Sequence, residues 1–499
     1  MKKILVANRG EIAVRVIRAC RELDVPVVAA YSEADRRALH VLLADEAVCI
    51  GPPPALKSYL DVDAIVRAAR ETGCDAVHPG YGFLAENGAF AARLEREGIA
   101  FIGPAGSVIE KMGSKIQARK VMKKAGVPVV PGSMGGSEDV GEILSAAAEI
   151  EGPIFLKASA GGGGKGMRLV KDRSQLESLV REAVGEAKSA FGDGTIYVEK
   201  FLENPRHIEF QILADSHGNV VHLYERECSI QRRHQKVVEE TPSTALNEAL
   251  RRQMGEAAVA AARAARYTNA GTVEFMFDRD QNFYFLEMNT RIQVEHPITE
   301  LTTGVDLVKW QIRIARGERL DFGQDDIEQR GHAIECRIYA EDSAKNFIPS
   351  CGVIKLLREP WGPGIRNDSG VYQGWEVSPH YDPILSKLVA YDETRDAAIR
   401  RMQIALDSYV VHGVETSIDL HKRILTHPEF RGGETYTNFI DAHKEELLVD
   451  DGGVPDEAYI AAALATRLRG AGNGAPSGAR VERPTPWRTV GRWEIGGGR

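Results

Sequence analysis

The sequence predicts a multidomain protein of α/β and α+β units, and three local patterns carry that prediction. Residues 3 to 31 read as strand, helix, strand: KILVA, then GEIAVRVIRACREL with Ile12, Val16, Cys20 and Leu23 near helical spacing, then VPVVAAY. A glycine cluster at 159 to 167 separates two short apolar runs, PIFLKAS and MRLV. Further on, GTVEFMF and NFYFLEMN flank a short polar turn and read as neighbouring strands. At 499 residues the chain also exceeds what a single core fills, so about three packed domains are expected.

The opening βαβ pattern gives a Rossmann-like first domain, placed at residues 1–112. Its first turn, Asn8-Arg9-Gly10-Glu11, lacks the GxGxxG glycines that let a dinucleotide pyrophosphate approach the backbone, so the shape is expected without NAD. The strand-like CDAVHPGYGFLAEN leads into a helix, and FIGP at 101 to 104 closes the domain. One helix from Lys111 to Ala125 is expected to lead out of it.

Residues 113–205 read as that connecting helix and a small mobile lid, closed by the strand TIYVEKFL. SAGGGGKGM invites a P-loop reading, but a P-loop needs Ser or Thr after its lysine to hold magnesium, and Gly166 follows Lys165. A P-loop also runs from strand into helix, whereas this stretch joins a strand at Lys157 to a strand starting at Met167. It is therefore a hairpin tip whose backbone amides can cover phosphates. A glycine cluster alone is as compatible with a loop that binds nothing; Lys157 and the acids downstream turn the reading toward a nucleotide.

Residues 206–445 alternate strands and helices without a linker and form the expected catalytic core. Glu274 lies across from the neighbourhood of Glu287 on the next strand, and Glu287 and Asn289, two apart, share a face. Two carboxylates and an amide oxygen suit magnesium carrying nucleotide phosphates. Such glutamates are ordinarily solvated, but Phe275, Phe277, Phe285 and Leu286 argue for burial. TRIQVEHP then crowds Arg291, Gln293, Glu295 and His296 just downstream. Upstream, ERECSIQRRHQKVVEE carries Arg232, Arg233, His234 and Lys236, and HIEFQIL carries His207 and Glu209, offering cations to phosphate or bicarbonate. By itself such a mixed run more often marks a salt-bridged surface, and Cys228 within it reads as a buried thiol rather than a nucleophile.

Lys plus Arg number 63 against 71 Asp plus Glu, a net charge of -8, which removes the global basic field that a nucleic-acid partner needs. The six cysteines, Cys20, Cys49, Cys74, Cys228, Cys336 and Cys351, contain no CxxC pair and read as reduced thiols. No apolar run approaches a membrane span and the opening MKKILVANRG is too short for a signal peptide, so a cytoplasmic location is expected. Residues 446–499, with a helix candidate EAYIAAALATRLRG and a Gly- and Arg-rich end, read as a peripheral tail or connector.

Taken together, ANRGEIA, HPGYGFLAEN, the glycine hairpin, RHQKVVEE and EMNTRIQVEHPITE resemble biotin carboxylase, an ATP-grasp ligase, in family order from residue 4 to about 445. Other ATP-grasp enzymes such as carbamoyl phosphate synthetase lack the combination of RHQKVVEE, TRIQVEHP and the later HAIECRIYAED. The resemblance implies a Rossmann-like (pre-ATP-grasp) N-terminal domain, an ATP-grasp domain with a mobile lid, and a C-terminal biotin carboxylase domain. It implies that Lys115, Lys157, Gly162, Gly163, Gly164 and Met167 contact ATP, that Glu199, Lys200 and Leu202 lie beside adenine, and that His207, Gln231 and His234 complete the nucleotide pocket. Glu274, Glu287 and Asn289 would hold two magnesium or manganese ions; Lys236, Arg291, Gln293 and the Val294 amide would hold bicarbonate. Glu295 would be the base, and Arg337, beside Tyr81, would stabilise the biotin enolate.

The chemistry so implied is attack of bicarbonate on the γ-phosphate of ATP, giving carboxyphosphate, whose breakdown yields carbon dioxide and a phosphate that takes the ureido proton of biotin. Biotin would arrive on a separate carrier protein, since the one AMKM-like string, Val121-Met122-Lys123-Lys124, sits in a helical stretch; carboxyltransferase subunits would complete an acetyl-CoA or propionyl-CoA type carboxylase. A pyruvate carboxylase subunit, another ATP-grasp carboxylate–amine ligase and a non-catalytic scaffold are the alternatives, and a homodimer or larger assembly is expected. The chain departs from the family pattern at Ala160, Ser343, Cys351 and Ser417, none of them a proposed ligand or base.

Overall fold

The computed structural model describes residues 1–159, 166–233, 235–449 and 456–472. The chain forms one compact unit over Met1–Val449 and a second over Asp450–Arg499. In the second, the described residues make a helix, Asp456–Gly472, which contains the expected EAYIAAALATRLRG. Among the described residues no helix is long and apolar enough to cross a membrane.

The first unit begins as the periodicity predicts. β1 (Ile4–Val6), β2 (Val27–Ser32), β3 (Glu46–Gly51), β4 (Ala76–His78) and β5 (Ala100–Phe101) form a parallel sheet in the order β3-β2-β1-β4-β5. α1 (Gly10–Glu22) buries Ile12, Val16 and Cys20 on one face, the i, i+4, i+8 stripe expected of an amphipathic helix. Gly10 opens it at φ +66, a conformation that glycine adopts without a Cβ penalty.

The single helix expected from Lys111 to Ala125 is instead two, Gly106–Gly113 and Lys115–Lys124. Ser114 is extended between them, and its side chain accepts from Gln117 N, so a serine cap starts a new helix at Lys115. The lid that follows is a three-stranded antiparallel sheet in which β6 (Ile154–Ala158) lies between β7 (Met167–Val170) and β8 (Ile196–Lys200). Lys157 pairs with Met167, so the glycine stretch joins strand to strand as expected; its residues 160–165 lie outside the described ones.

The core is one antiparallel sheet of eight strands. β9 (Arg206–Ala214), β10 (Val220–Arg232), β11 (Gln235–Thr241), β12 (Asn269–Phe277), β13 (Phe283–Asn289), β14 (His332–Tyr339), β15 (Ile365–Ser369) and β16 (Ile384–Asp392) run in the order β13-β12-β9-β10-β11-β14-β16-β15. Phe210, Phe275 and Phe285 pack with Met254 and Ala258 of the helix Glu248–Ala265 at one end of the sheet, and Leu388 and Ile334 pack with Met402 of the helix Arg395–Ser408 at the other. The first domain closes on this sheet at Gly370, where an added Cβ would stand 2.5 Å from Glu11 N. Only a residue without a side chain lets α1 approach so closely.

Candidate active site

Strand register builds an acidic wall. β12 pairs with β13 so that Glu274 faces Glu287, and with β9 so that Glu274 also faces Glu209. Side chains directly opposite share a face, and Asn289, two residues past Glu287, keeps to it. The neighbourhood expected from the sequence is thus a direct pair.

Lys236 on β11 enters that wall. Its Nζ donates to Glu274 Oε1 at 2.9 Å, to Glu295 Oε1 at 2.6 Å and to Glu209. The groupings His207–Glu209–Glu274 and Glu209–Cys228–Glu295, whose ligand atoms have metal-like spacing, therefore flank an ammonium. The second oxygen of Glu295 accepts from Arg337 Nη2 at 2.9 Å, and Arg337 Nε donates to Glu239 Oε1 at 2.6 Å. Gln293 Nε2 and Asn289 Nδ2 each donate to Glu274 Oε1 at 2.7 Å. Asn289 Oδ1 accepts from Arg291 Nη2 at 2.9 Å, and Arg291 Nε stands 3.0 Å from Glu86. Behind them the wholly buried Arg226 donates to Glu209 at 2.6 Å and to Gln211 and Gln293, each at 2.7 Å.

Burial raises every carboxyl here, and the neighbouring cations decide the outcome. At Glu295 burial is outweighed by Lys236, Arg337 and Arg226, which hold the carboxyl well below its usual range. At Glu274 burial is outweighed by Lys236 and by His207, 2.8 Å away, with the same result. Glu209 stays above its ordinary value because burial prevails over Lys236 and Arg226. Glu287 opens toward solvent, yet the surrounding protein and the charge of Glu274 push it up. Glu287 and Glu274 are thus carboxylates that repel each other, with an amide oxygen on the same face: a hard, oxygen-rich donor set that a divalent cation would relieve. Lys236, despite burial, stays protonated far above the usual lysine value because three glutamates surround it.

Beside the small three-stranded sheet, Lys157 and Arg119 donate to the two oxygens of Glu199. Burial lowers the Lys115 ammonium below its ordinary value although Glu287 and Glu199 favour its charge, so these lysines and acids meet. Met167 starts the facing lid strand. Lys200 is exposed at the end of β8, Leu202 is half-buried just beyond, and Gln231 is buried and donates to Cys228 O at 3.3 Å. Gly162, Gly163, Gly164 and His234 lie outside the described residues. Tyr81 is half-buried, with the Lys387 ammonium 5.8 Å from its ring centre, and the Val294 carbonyl accepts from Lys387 at 2.9 Å.

The salt-bridged surface that ERECSIQRRHQKVVEE suggests when taken alone is not what forms. Its strands lie inside the eight-stranded sheet, burying Arg226, Glu227, Lys236 and Glu239 and leaving Arg233 exposed. Cys228 is buried, and burial with Glu209 nearby pushes its thiol well above the ordinary value, as befits a thiol that is not a nucleophile. Sequence reasoning missed Arg226, Glu239, Glu86 and Lys387. A lysine alone in the apolar strand ILSKLVAYD was the available signal for the last.

Paired-strand carboxylates, a glutamate clamped between a lysine and an arginine, and a small lid sheet whose strands are joined through a glycine stretch are the features of an ATP-dependent ligase of the ATP-grasp class. Three family models match the chain: the biotin carboxylase N-terminal domain over residues 1–109, the carbamoyl-phosphate synthase L chain ATP binding domain over 114–322, and the biotin carboxylase C-terminal domain over 335–442. Biotin carboxylase 1 of Bacillus subtilis is 54% identical over 444 residues, 89% of this chain and 99% of the relative. A pyruvate carboxylase subunit of Methanothermobacter thermautotrophicus is 56% identical over 445 residues, 89% and 90% of the two chains. Among solved structures, the biotin carboxylase domain dimer of Hydrogenobacter thermophilus 2-oxoglutarate carboxylase, in complex with MgADP, ADP and bicarbonate, superposes with a TM-score of 0.86 at 50% identity, covering 90% of this chain and 99% of that one. The chain belongs to the biotin carboxylase family.

Proposed function

We propose that this chain uses MgATP and bicarbonate to carboxylate biotin presented by a carrier protein, through carboxyphosphate. The observation that carries the reading is the buried clamp Lys236–Glu295–Arg337 beside the Glu274–Glu287 pair. Lys236, Arg291, Gln293 and the Val294 amide hold bicarbonate, and Glu295 takes its proton. In the resting clamp Glu295 is a weak base; once bicarbonate accepts hydrogen bonds from Lys236, part of that ammonium's hold on Glu295 is withdrawn and its basicity rises. Lys115, Lys157, Met167 and the glycine hairpin, Gly162, Gly163 and Gly164, cover the phosphates. Glu199, Lys200, Leu202, His207, Gln231 and His234 frame the base. Glu274, Glu287 and Asn289 would hold two magnesium ions, which when bound offset charge on the transferring phosphoryl group. Arg337 turns from Glu295 to the biotin ureido oxygen as the enolate forms, with Tyr81 at its side.

We place the domain limits at 1–112, 113–205, 206–445 and 446–499, with the eight-stranded sheet unifying the third. Carboxyltransferase and carrier subunits of an acyl-CoA carboxylase are the partners in this reading; the 56% identity to a pyruvate carboxylase subunit favours a pyruvate variant as the second. The related 2-oxoglutarate carboxylase biotin carboxylase domain is a dimer, which supports a homodimer here. The test is ADP release from the purified chain with MgATP, bicarbonate and free biotin, each omitted in turn. Release that needs both bicarbonate and biotin supports the reading; release indifferent to biotin replaces it with a carboxylate–amine ligase.

A further inference from the structure

Lys387 is fully buried on β16, an environment that lysine enters only when partnered. Its ammonium has three neighbours from separate parts of the chain. Glu11 of α1 stands 3.3 Å away, the Val294 carbonyl accepts at 2.9 Å, and the Tyr81 ring centre lies 5.8 Å away. In the sheet register Lys387 lies opposite Arg337 on one side and Asp368 on the other. The Glu11 carboxylate pairs with the ammonium at 3.3 Å but is not its shortest contact. The ammonium donates to the main chain one residue before Glu295.

The Val294 carbonyl belongs to the planar peptide that joins Val294 to Glu295. Fixing that oxygen fixes the plane from which the Glu295 side chain departs, on the segment whose Val294 amide and Gln293 side chain line the same site. We propose that Lys387, anchored by Glu11, is a positioning residue that sets the Gln293–Glu295 segment for bicarbonate activation and keys it to Arg337 and Tyr81. The inference rests on Glu295 being the bicarbonate base and deepens that assignment. It names a residue that touches no reacting atom and ties the first domain to the catalytic base.

Lys387→Met removes the donor while keeping an unbranched side chain of similar length. Glu11 then lacks its cation, but burial, working against Lys387, already pushes its carboxyl up to about 7, so it can take a proton rather than remain a stranded charge. Glu11→Gln removes the anchor's charge with little change of shape. Wild type, Lys387→Met and Glu11→Gln are compared by steady-state ADP release with ATP or bicarbonate varied, after circular dichroism shows each to be folded. The expected result for Lys387→Met is a loss of about tenfold or more in kcat/KM for bicarbonate, because small misplacements of a catalytic group are costly, with KM for ATP within about twofold. Glu11→Gln shows the same selectivity at smaller size, and decides the matter if Lys387→Met does not fold. Unchanged bicarbonate kinetics, or ATP and bicarbonate parameters that fall together, overturn the proposal. Wild-type release that is indifferent to bicarbonate sinks the functional reading itself, and this inference with it.

Discussion

Glu295 Oε1 accepts from Lys236 Nζ at 2.6 Å, and both side chains are buried. The pair joins the strand that brings Lys236 to the turn that brings Glu295, and it helps hold the Glu295 carboxyl well below its usual range; in the proposed reaction bicarbonate competes for that ammonium.

Replacing Glu295 by Gln keeps the shape but removes the proposed proton acceptor and one of the two oxygens that accept from Lys236 and Arg337. Bicarbonate-dependent ADP release is expected to fall by roughly 10²-fold or more, the usual worth of a general base. Circular dichroism should be unchanged, which separates lost chemistry from lost fold.

Lys236→Met strips the one ammonium shared by Glu209, Glu274 and Glu295. Breaking a buried pair leaves uncompensated charge and costs about 3–5 kcal/mol. Urea denaturation should show a lower midpoint for this variant, together with loss of bicarbonate dependence; a midpoint equal to wild type contradicts the clamp.

The Glu274–Glu287 pair should make activity strictly dependent on a divalent cation. Chelation of magnesium is expected to abolish ADP release, and Glu287→Gln to raise the magnesium concentration needed for half-maximal rate. A magnesium titration of wild type and variant checks this.

Stability should fall in acid through Glu240. Burial raises this carboxyl, but hydrogen bonds from His332 and the charge of Arg395 outweigh it and bring it down to about 2 from an ordinary 4.5. A carboxyl depressed in the folded state contributes stability above its unfolded value and loses it as pH falls through the folded one. The loss therefore spans the window from 4.5 to about 2, and Glu240→Gln should flatten it in thermal melts. Glu11 has the opposite sign: raised to about 7, its contribution is complete below 4.5 and fades as pH climbs through about 7.

Much of this site was legible because strand alternation and register act locally. Glu274 and Glu287 stand on the two strands of one hairpin; the burial that the apolar residues around them suggested holds for Glu274 but not for Glu287, whose side chain is exposed at the strand end. The helix break at Ser114 was not legible from periodicity, since the apolar stripe continues across it; the serine cap was the overlooked cue. Arg226 and Glu239 were hidden for a different reason. A mixed-charge run looks solvated until tertiary packing places its strands between β9 and β14, and nothing local to the segment specifies those neighbours. Lys387 meets Glu11 across most of the chain's length, a contact that only the closure of the first domain on the sheet creates.

The most direct measurement of the central claim is transfer of isotope-labelled carbon from bicarbonate to biotin, followed in the presence of MgATP for wild type and Glu295→Gln. Acid-labile label appearing on biotin with wild type, and absent with the variant or without ATP, is the predicted result. ATP turnover by wild type with no label on biotin would contradict the account.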